Sequence, residues 1–234
     1  MNERLRPVVA DAWLFRTRVE REAAHRFGRL AAAIDAFDPE SPVPALLRRA
    51  REDEVRHAGL CAELSAAYGK PATGGDAASG EIAPGSLGPR EAVLYEMVAA
   101  CCITETESVA TLTTLMTEDA EPRVREILHE IARDEVVHSR MGWAHLAREA
   151  ARIDVSFLSS WIPAMLSGTV SDELFAAAED EPAADELLRH GVLPRDRKRE
   201  IFTGALQEIV FPGLEKFGVD AAPARSWLAA REIS

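Results

Sequence analysis

The string DEVRH at residues 53–57 returns as DEVVH at residues 134–138. The chain has only six histidines, and two of them close these two strings. Each copy contains Glu-x-x-His: Glu54 with His57, and Glu135 with His138. Residues three apart share a helix face, so each copy would aim a carboxylate and an imidazole the same way. What they face depends on the sequence around them.

Leu47, Ala50, Glu54, His57, Cys61, Leu64 and Tyr68 fall on one stripe of a helix over about 43–68. Leu128, Ile131, Glu135, His138, Gly142 and His145 do the same over about 121–151. A further helix precedes each. One spans 8–36, with Trp13, Glu20, Phe27 and Ile34 spaced by seven; the other spans 89–117, with Leu94, Val98, Cys101, Glu105, Val109, Leu112 and Met116 in phase. DPESPVP at 38–44 and TEDAEP at 117–122 are short breaks, so each pair of helices reads as an antiparallel hairpin. Residues 69–88 are rich in Gly, Ala, Pro and Ser and have no period. Twenty extended residues reach about 60 Å, whereas a 26-residue helix is about 39 Å long. The linker can therefore return along the bundle and set the second and third helices parallel. The expectation is an all-α four-helix bundle with one long crossover over residues 1–152. Residues 153–234 break into additional C-terminal helices, with Pro212 disturbing one and Gly218 ending it. They are expected to pack on the bundle as an extension.

Composition narrows the function. The net charge of −12 repels nucleic acid, and RDRKRE at 195–200 is too short to reverse that. No apolar run is long enough for a membrane span, and the N-terminal MNERLRPVVADAWLF lacks a secretory core. Cys61, Cys101 and Cys102 are odd in number and make a poor disulfide framework, which suits the cytoplasm.

The acidic groups on the apolar stripes carry the chemistry. An ionised carboxylate facing a core is costly unless a cation compensates it. Glu20 and Glu105 lie at core phase on the first and third helices, whereas Glu22 and Glu107 are rotated away. Glu105 sits about 18 Å before its turn and Glu135 about 20 Å after it, so the two meet at similar height. Four carboxylates and two imidazoles from four helices are the donor set of a di-iron or di-manganese carboxylate centre. Two dications against four glutamates leave the interior near neutral. Asp53 and Asp134 precede the bundle glutamates and would each accept a hydrogen bond from a ligand histidine on a neighbouring helix.

The segments EREAAHRFGRL (20–30), REDEVRHAGLC (51–61), CCITETESVATL (101–112) and IARDEVVHSRMGW (131–143) resemble the motifs of ferritin-like di-metal proteins, specifically bacterial ferritin-like domain proteins. The resemblance covers about residues 10–150. It implies Glu20, Glu54, His57, Glu105, Glu135 and His138 as ligands of two Fe ions, with Mn as the alternative. It also implies Glu54 and Glu135 as bridges. The family spans several reactions, so fold and ligands do not choose one. The leading expectation is an oxidoreductase that activates dioxygen or peroxide to oxidise an organic substrate. Its partners would be a small apolar substrate and an electron donor, with no nucleic acid and no membrane; a homodimer is compatible with the chain. The alternatives are a ferroxidase, peroxide scavenger or metal store without organic substrate, and a metal-stabilised structural bundle. Eighty residues beyond the bundle favour the enzyme.

Other residues have plainer readings. Cys61 and Cys102 suit buried packing. His145 reads as a satisfied core or cavity-lining histidine, Tyr95 as core, and the four tryptophans as packing. His25, His129 and His190 read as surface or helix-end residues. Gly142, one turn past His138, marks either a close helix approach or an opening beside the metals.

Overall fold

The structure is a computed structural model that describes residues 2–73, 80–116, 119–176 and 184–232. Among the described residues every regular element is helical. Helix α1 (Arg6–Phe37) opens on Pro7, whose missing N–H falls in the turn that has no use for it. Helix α2 (Val43–Ala67) returns beside α1 after a short loop. The third rod is α3 (Pro89–Met97), a π-helical turn (Val98–Thr104) and α4 (Glu105–Leu115). Helix α5 (Pro122–Ala150) is capped by the Glu121 carboxylate, which accepts from Val124 N at 3.0 Å.

The crossover follows α1. Lys70 pairs with Asp11, and Arg29 Nη2 donates to the Gly80 carbonyl at 3.3 Å. Asp11 and Arg29 are 18 residues apart, about 27 Å along the helix. The chain thus leaves α2 at one end of α1 and reaches the start of α3 at the other, which sets α2 and α3 parallel. Residues 74–79 of the linker and 117–118 of the TEDAEP turn lie outside the described residues.

The periodic reading had one uninterrupted third helix over 89–117. The π turn is the difference. Glu105 N bonds Ala100 O, five residues back, and the Thr104 hydroxyl donates to Ala99 O at 3.0 Å. The widened turn presses on α5. A Cβ on Gly142 would lie 2.3 Å from Cys101 Cβ and 3.0 Å from Cys101 C. Gly142 therefore permits close approach of α5 to the π turn; it opens no passage. The turn ends where Glu105 begins, a common place for such irregularity in functional helices.

Beyond α5 come α6 (Ile162–Thr169), α7 (Ala184–Arg189), α8 (Arg195–Ala205), α9 (Phe211–Glu215) and α10 (Ala222–Glu232). A second π turn, Leu206–Val210, takes up the disturbance at Pro212, and Gly218 with φ +84° follows α9. Leu158, Ile162, Phe202 and Phe211 share one apolar cluster with Leu94, Val98 and Leu146 of the bundle. Two tryptophans seat this region on the bundle. A Cβ on Gly213 would meet the Trp143 ring at 2.7 Å, and one on Gly191 would meet the Trp13 ring at 2.6 Å. Trp13 Nε1 also donates to His190 O at 3.0 Å. No described helix is long and apolar enough to cross a membrane.

Candidate metal centre

All six residues singled out by the sequence converge midway along the four long rods. Glu54, His57, Glu135 and His138 are essentially buried, Glu105 is 7% exposed, and Glu20 is half-buried. Their donor atoms form two overlapping groups, each within 4.8 Å: Glu20, Glu54, His57 and Glu135, and Glu54, Glu105, Glu135 and His138. Glu54 and Glu135 belong to both, while each group has its own glutamate and its own histidine. Glu22 turns outward to Arg18 at 3.8 Å. Glu107 stays at the margin, accepting from the Thr111 hydroxyl at 2.9 Å.

Both imidazoles point Nδ1 inward. His138 Nδ1 lies 2.9 Å from Glu54 Oε1 and 3.2 Å from Glu135 Oε2; His57 Nδ1 lies 3.4 Å from Glu54 Oε2 and 3.6 Å from Glu135 Oε1. Both point Nε2 outward, and here the two strings cross over. His57 Nε2 meets Asp134 at 3.3 Å, and His138 Nε2 meets Asp53 at 3.4 Å. With the ring proton on Nε2, each aspartate of one string accepts from the histidine of the other.

Arg56 joins the two halves. Its Nη1 donates to Asp53 at 2.9 Å, its Nε to Glu130 at 3.0 Å, and its Nη2 to Asp134. The sequence reading passed over Arg56 because position four of the string differs between copies, being Val137 in the second.

Buried with no arginine or lysine in contact, the carboxylates resist ionisation. Burial, then the charge of Glu54, push Glu20 well up; burial, then Glu135, do the same to Glu105. Burial raises Glu54, and burial with the Glu54 charge lifts Glu135 to about 7. Burial opposes a charged His138, but the adjoining carboxylates of Glu135 and Glu54 outweigh it and raise the ring to about 11. Both Glu54 oxygens and His57 Nδ1 are buried with no hydrogen-bond partner. Orphaned oxygen and nitrogen donors, thiolate-free and sharing two carboxylates, suit a pair of Fe or Mn ions.

The fold can be laid on a solved structure. The structure of protein 19 with aldehyde deformylating oxidase activity from Synechococcus matches with a TM-score of 0.55 over 94% of this chain and 97% of that one. The fold is ferritin-like. Sequence identity to that protein is 17%. No protein-family model and no curated protein matches the sequence.

The remaining sequence readings divide. Cys61, Cys101 and Cys102 are buried free thiols, and Tyr95 packs edge-on against Trp161. His25 and His129 are exposed, and His190 holds the Tyr68 hydroxyl at 2.9 Å just past α7. His145 is buried as expected but not satisfied: neither ring nitrogen has a partner, and burial lowers it to about 4.

A cavity of about 300 Å³ opens onto the cluster between α1 and α4. Glu20, Glu105 and Glu135 form its floor, and Gly191, Val192, Leu193 and Lys198 of the C-terminal region form one wall. Arg16 and Arg26 flank it from α1. The sequence left this cavity unseen, because its wall comes from a loop more than 150 residues past α1.

Proposed function

We propose that the chain is a non-haem di-iron oxidoreductase, with manganese as the alternative metal, that uses dioxygen or peroxide to oxidise an organic substrate. What supports this most is the sharing of Glu54 and Glu135 between two donor groups that each have a private glutamate and a private histidine. A two-metal carboxylate site needs that pattern. When bound, two ferrous ions supply a pair of electrons for reducing dioxygen or peroxide.

The chain's own residues would do the rest. Glu54 and Glu135 would span both ions; Glu20 with His57, and Glu105 with His138, would complete one ion each. Asp134 and Asp53 keep the ring protons on Nε2, leaving the Nδ1 lone pairs aimed inward. Glu20, the least buried of the six and facing the cavity, is the carboxylate best placed to shift when substrate arrives. Gly191, Val192, Leu193 and Lys198, beyond the bundle, wall one side of this cavity, which a metal store would not require. The oxidase activity of the Synechococcus neighbour is consistent with this reading. The free, buried cysteines suit a cytoplasmic setting.

Anaerobic titration with Fe(II) or Mn(II), followed by metal analysis, should saturate near two ions per chain. Oxygen admitted to the ferrous protein should then be consumed without growth of a ferric core. A chain that cannot be loaded overturns the reading, and progressive core growth replaces it with iron storage.

A further inference from the structure

Outside the six candidate ligands, the cavity lining has three cations, Arg16, Arg26 and Lys198, and two acids, Glu22 and Glu107. Glu22 already faces Arg18. Glu107 alone is left against three cations. Among the described residues, Arg16 and Arg26 make no ion pair and no side-chain hydrogen bond; Arg16 Nη1 and Arg26 Nε are buried without any partner. The Arg16 guanidinium lies over the Trp13 ring, 4.7 Å from its centre. The fixed aromatic platform and the empty donor are the two halves of an anion site.

The arginines also have no work as counter-ions once the metals are present, since two dications already offset Glu20, Glu54, Glu105 and Glu135. Arg16 and Arg26 are then surplus positive charge beside a partly apolar cleft. Ala12, Phe15, Val19, Leu112, Ile131 and Leu193 supply apolar wall. A volume of about 300 Å³ is at the small end for ligand sites.

Resting on the oxidoreductase reading, we infer that the substrate is a small organic acid whose carboxylate is held by Arg16, with its apolar body lying along α1 and α4 toward Glu20. Arg26 and Lys198 draw the anion in and keep the cleft positive. A carboxylate on Arg16 would satisfy the orphaned guanidinium donor and could bind it in the two-pronged manner that lysine cannot copy.

The test uses the full chain loaded with Mn(II), with octanoate and octanamide as probes and calorimetry as the readout. Octanoate should bind at least about tenfold more tightly than octanamide. Arg16→Gln should reduce octanoate affinity by about 10–100-fold, leaving octanamide binding and metal stoichiometry as they were. Val192→Trp, which fills the cleft from the loop, should abolish binding of both probes. Equal affinities for the two probes in the wild-type chain overturn the inference even if Arg16→Gln fails to fold. A preference for octanoate that survives Arg16→Gln also overturns it, because the metals would then be holding the carboxylate. Stoichiometry is measured separately: a chain with two Mn ions and no octanoate preference defeats this inference alone, whereas a chain that takes up no metal defeats the oxidoreductase reading beneath it.

Discussion

Five glutamates are buried among the described residues, and they divide by what faces them. Glu96 meets Arg29 at 2.5 Å, and Glu149 meets Arg90 at 2.5 Å, with Arg152 at 3.8 Å. Each of these has a guanidinium from elsewhere in the chain. Glu54, Glu105 and Glu135, together with half-buried Glu20, are in contact only with one another and two histidines. Glu96 and Glu149 each have an arginine in direct ion-pair contact; the cluster glutamates have none in contact, with Arg16 and Arg26 only nearby. A set of uncompensated carboxylates is a liability in a protein that folds without metal, and a binding energy in one that loads it.

The sharpest way to break this division is through the shared carboxylates. Glu135→Ala removes a donor common to both groups, so metal analysis should fall from about two ions per chain to nearly none. Glu20→Ala removes a private donor and should leave about one. Equal losses from both variants would mean that the sharing of Glu54 and Glu135 has no bearing on binding.

The next contrast is one of sign. Glu149→Gln takes the charge from an arginine pair and should destabilise the chain by about 1–3 kcal/mol. The Glu149 side chain is 1% exposed and Arg90 is 34% exposed, so the lower part of that range is expected. Glu54→Gln in metal-free protein removes one of several mutually repelling acids and should be neutral or stabilising. Chemical denaturation of both variants without metal checks this, and equal destabilisation would erase the distinction.

This division was only half legible in the sequence. Glu20, Glu54, Glu105 and Glu135 betray themselves because acids recur at core phase on four amphipathic helices, twice with a histidine three residues on. Helix order and crossover follow from the same periodicity and from the length of the linker. Glu96 and Glu149 leave no such trace. Their partners Arg29 and Arg90 lie 67 and 59 residues away, and only the packed helices bring them together. The π turn at 98–104 is equally silent, because a hydroxyl of Thr104 turned to Ala99 is a local backbone choice without a repeat. Gly142 was its one visible sign, and its meaning depended on knowing what lay opposite.

The two regions should also answer pH in opposite directions. His145 is lowered from 6.5 to about 4 by burial. Its neutral form favours folding above pH 6.5, and that stability, about 3 kcal/mol, is lost as pH falls toward 4. The cluster behaves the other way in metal-free protein. Glu135 is raised from 4.5 to about 7, so its contribution is complete below pH 4.5 and lost as pH rises through 7. His138, raised from 6.5 to about 11, continues the decline above pH 6.5. With Glu20, Glu54 and Glu105 raised as well, metal-free protein should be most stable toward the acid end of the window between about pH 4.5 and 6.5, near pH 4.5. Loading with Mn(II) should abolish the alkaline limb, and His145→Phe the acid limb, in melting temperatures measured across pH. An alkaline limb unchanged by metal would detach it from the cluster.

Arg56 offers the mildest test, because it touches neither a carboxylate of the cluster nor an imidazole. Its guanidinium is 39% exposed and bonds Asp53 and Asp134, the aspartates that accept from His138 and His57. Arg56→Ala should change fold stability by less than about 1 kcal/mol, since exposed ion pairs contribute little. It should nevertheless weaken metal affinity by about 10–100-fold, because both aspartates lose the group that fixes their orientation and each histidine loses a rigid partner. Arg56→Lys keeps the charge but cannot span two aspartates and Glu130 with one planar fork, so it should recover only part of the affinity. Competition titrations against a chelator read this directly. Full recovery by lysine would mean that charge alone, and not the joined geometry of the two halves, sets the affinity of the centre.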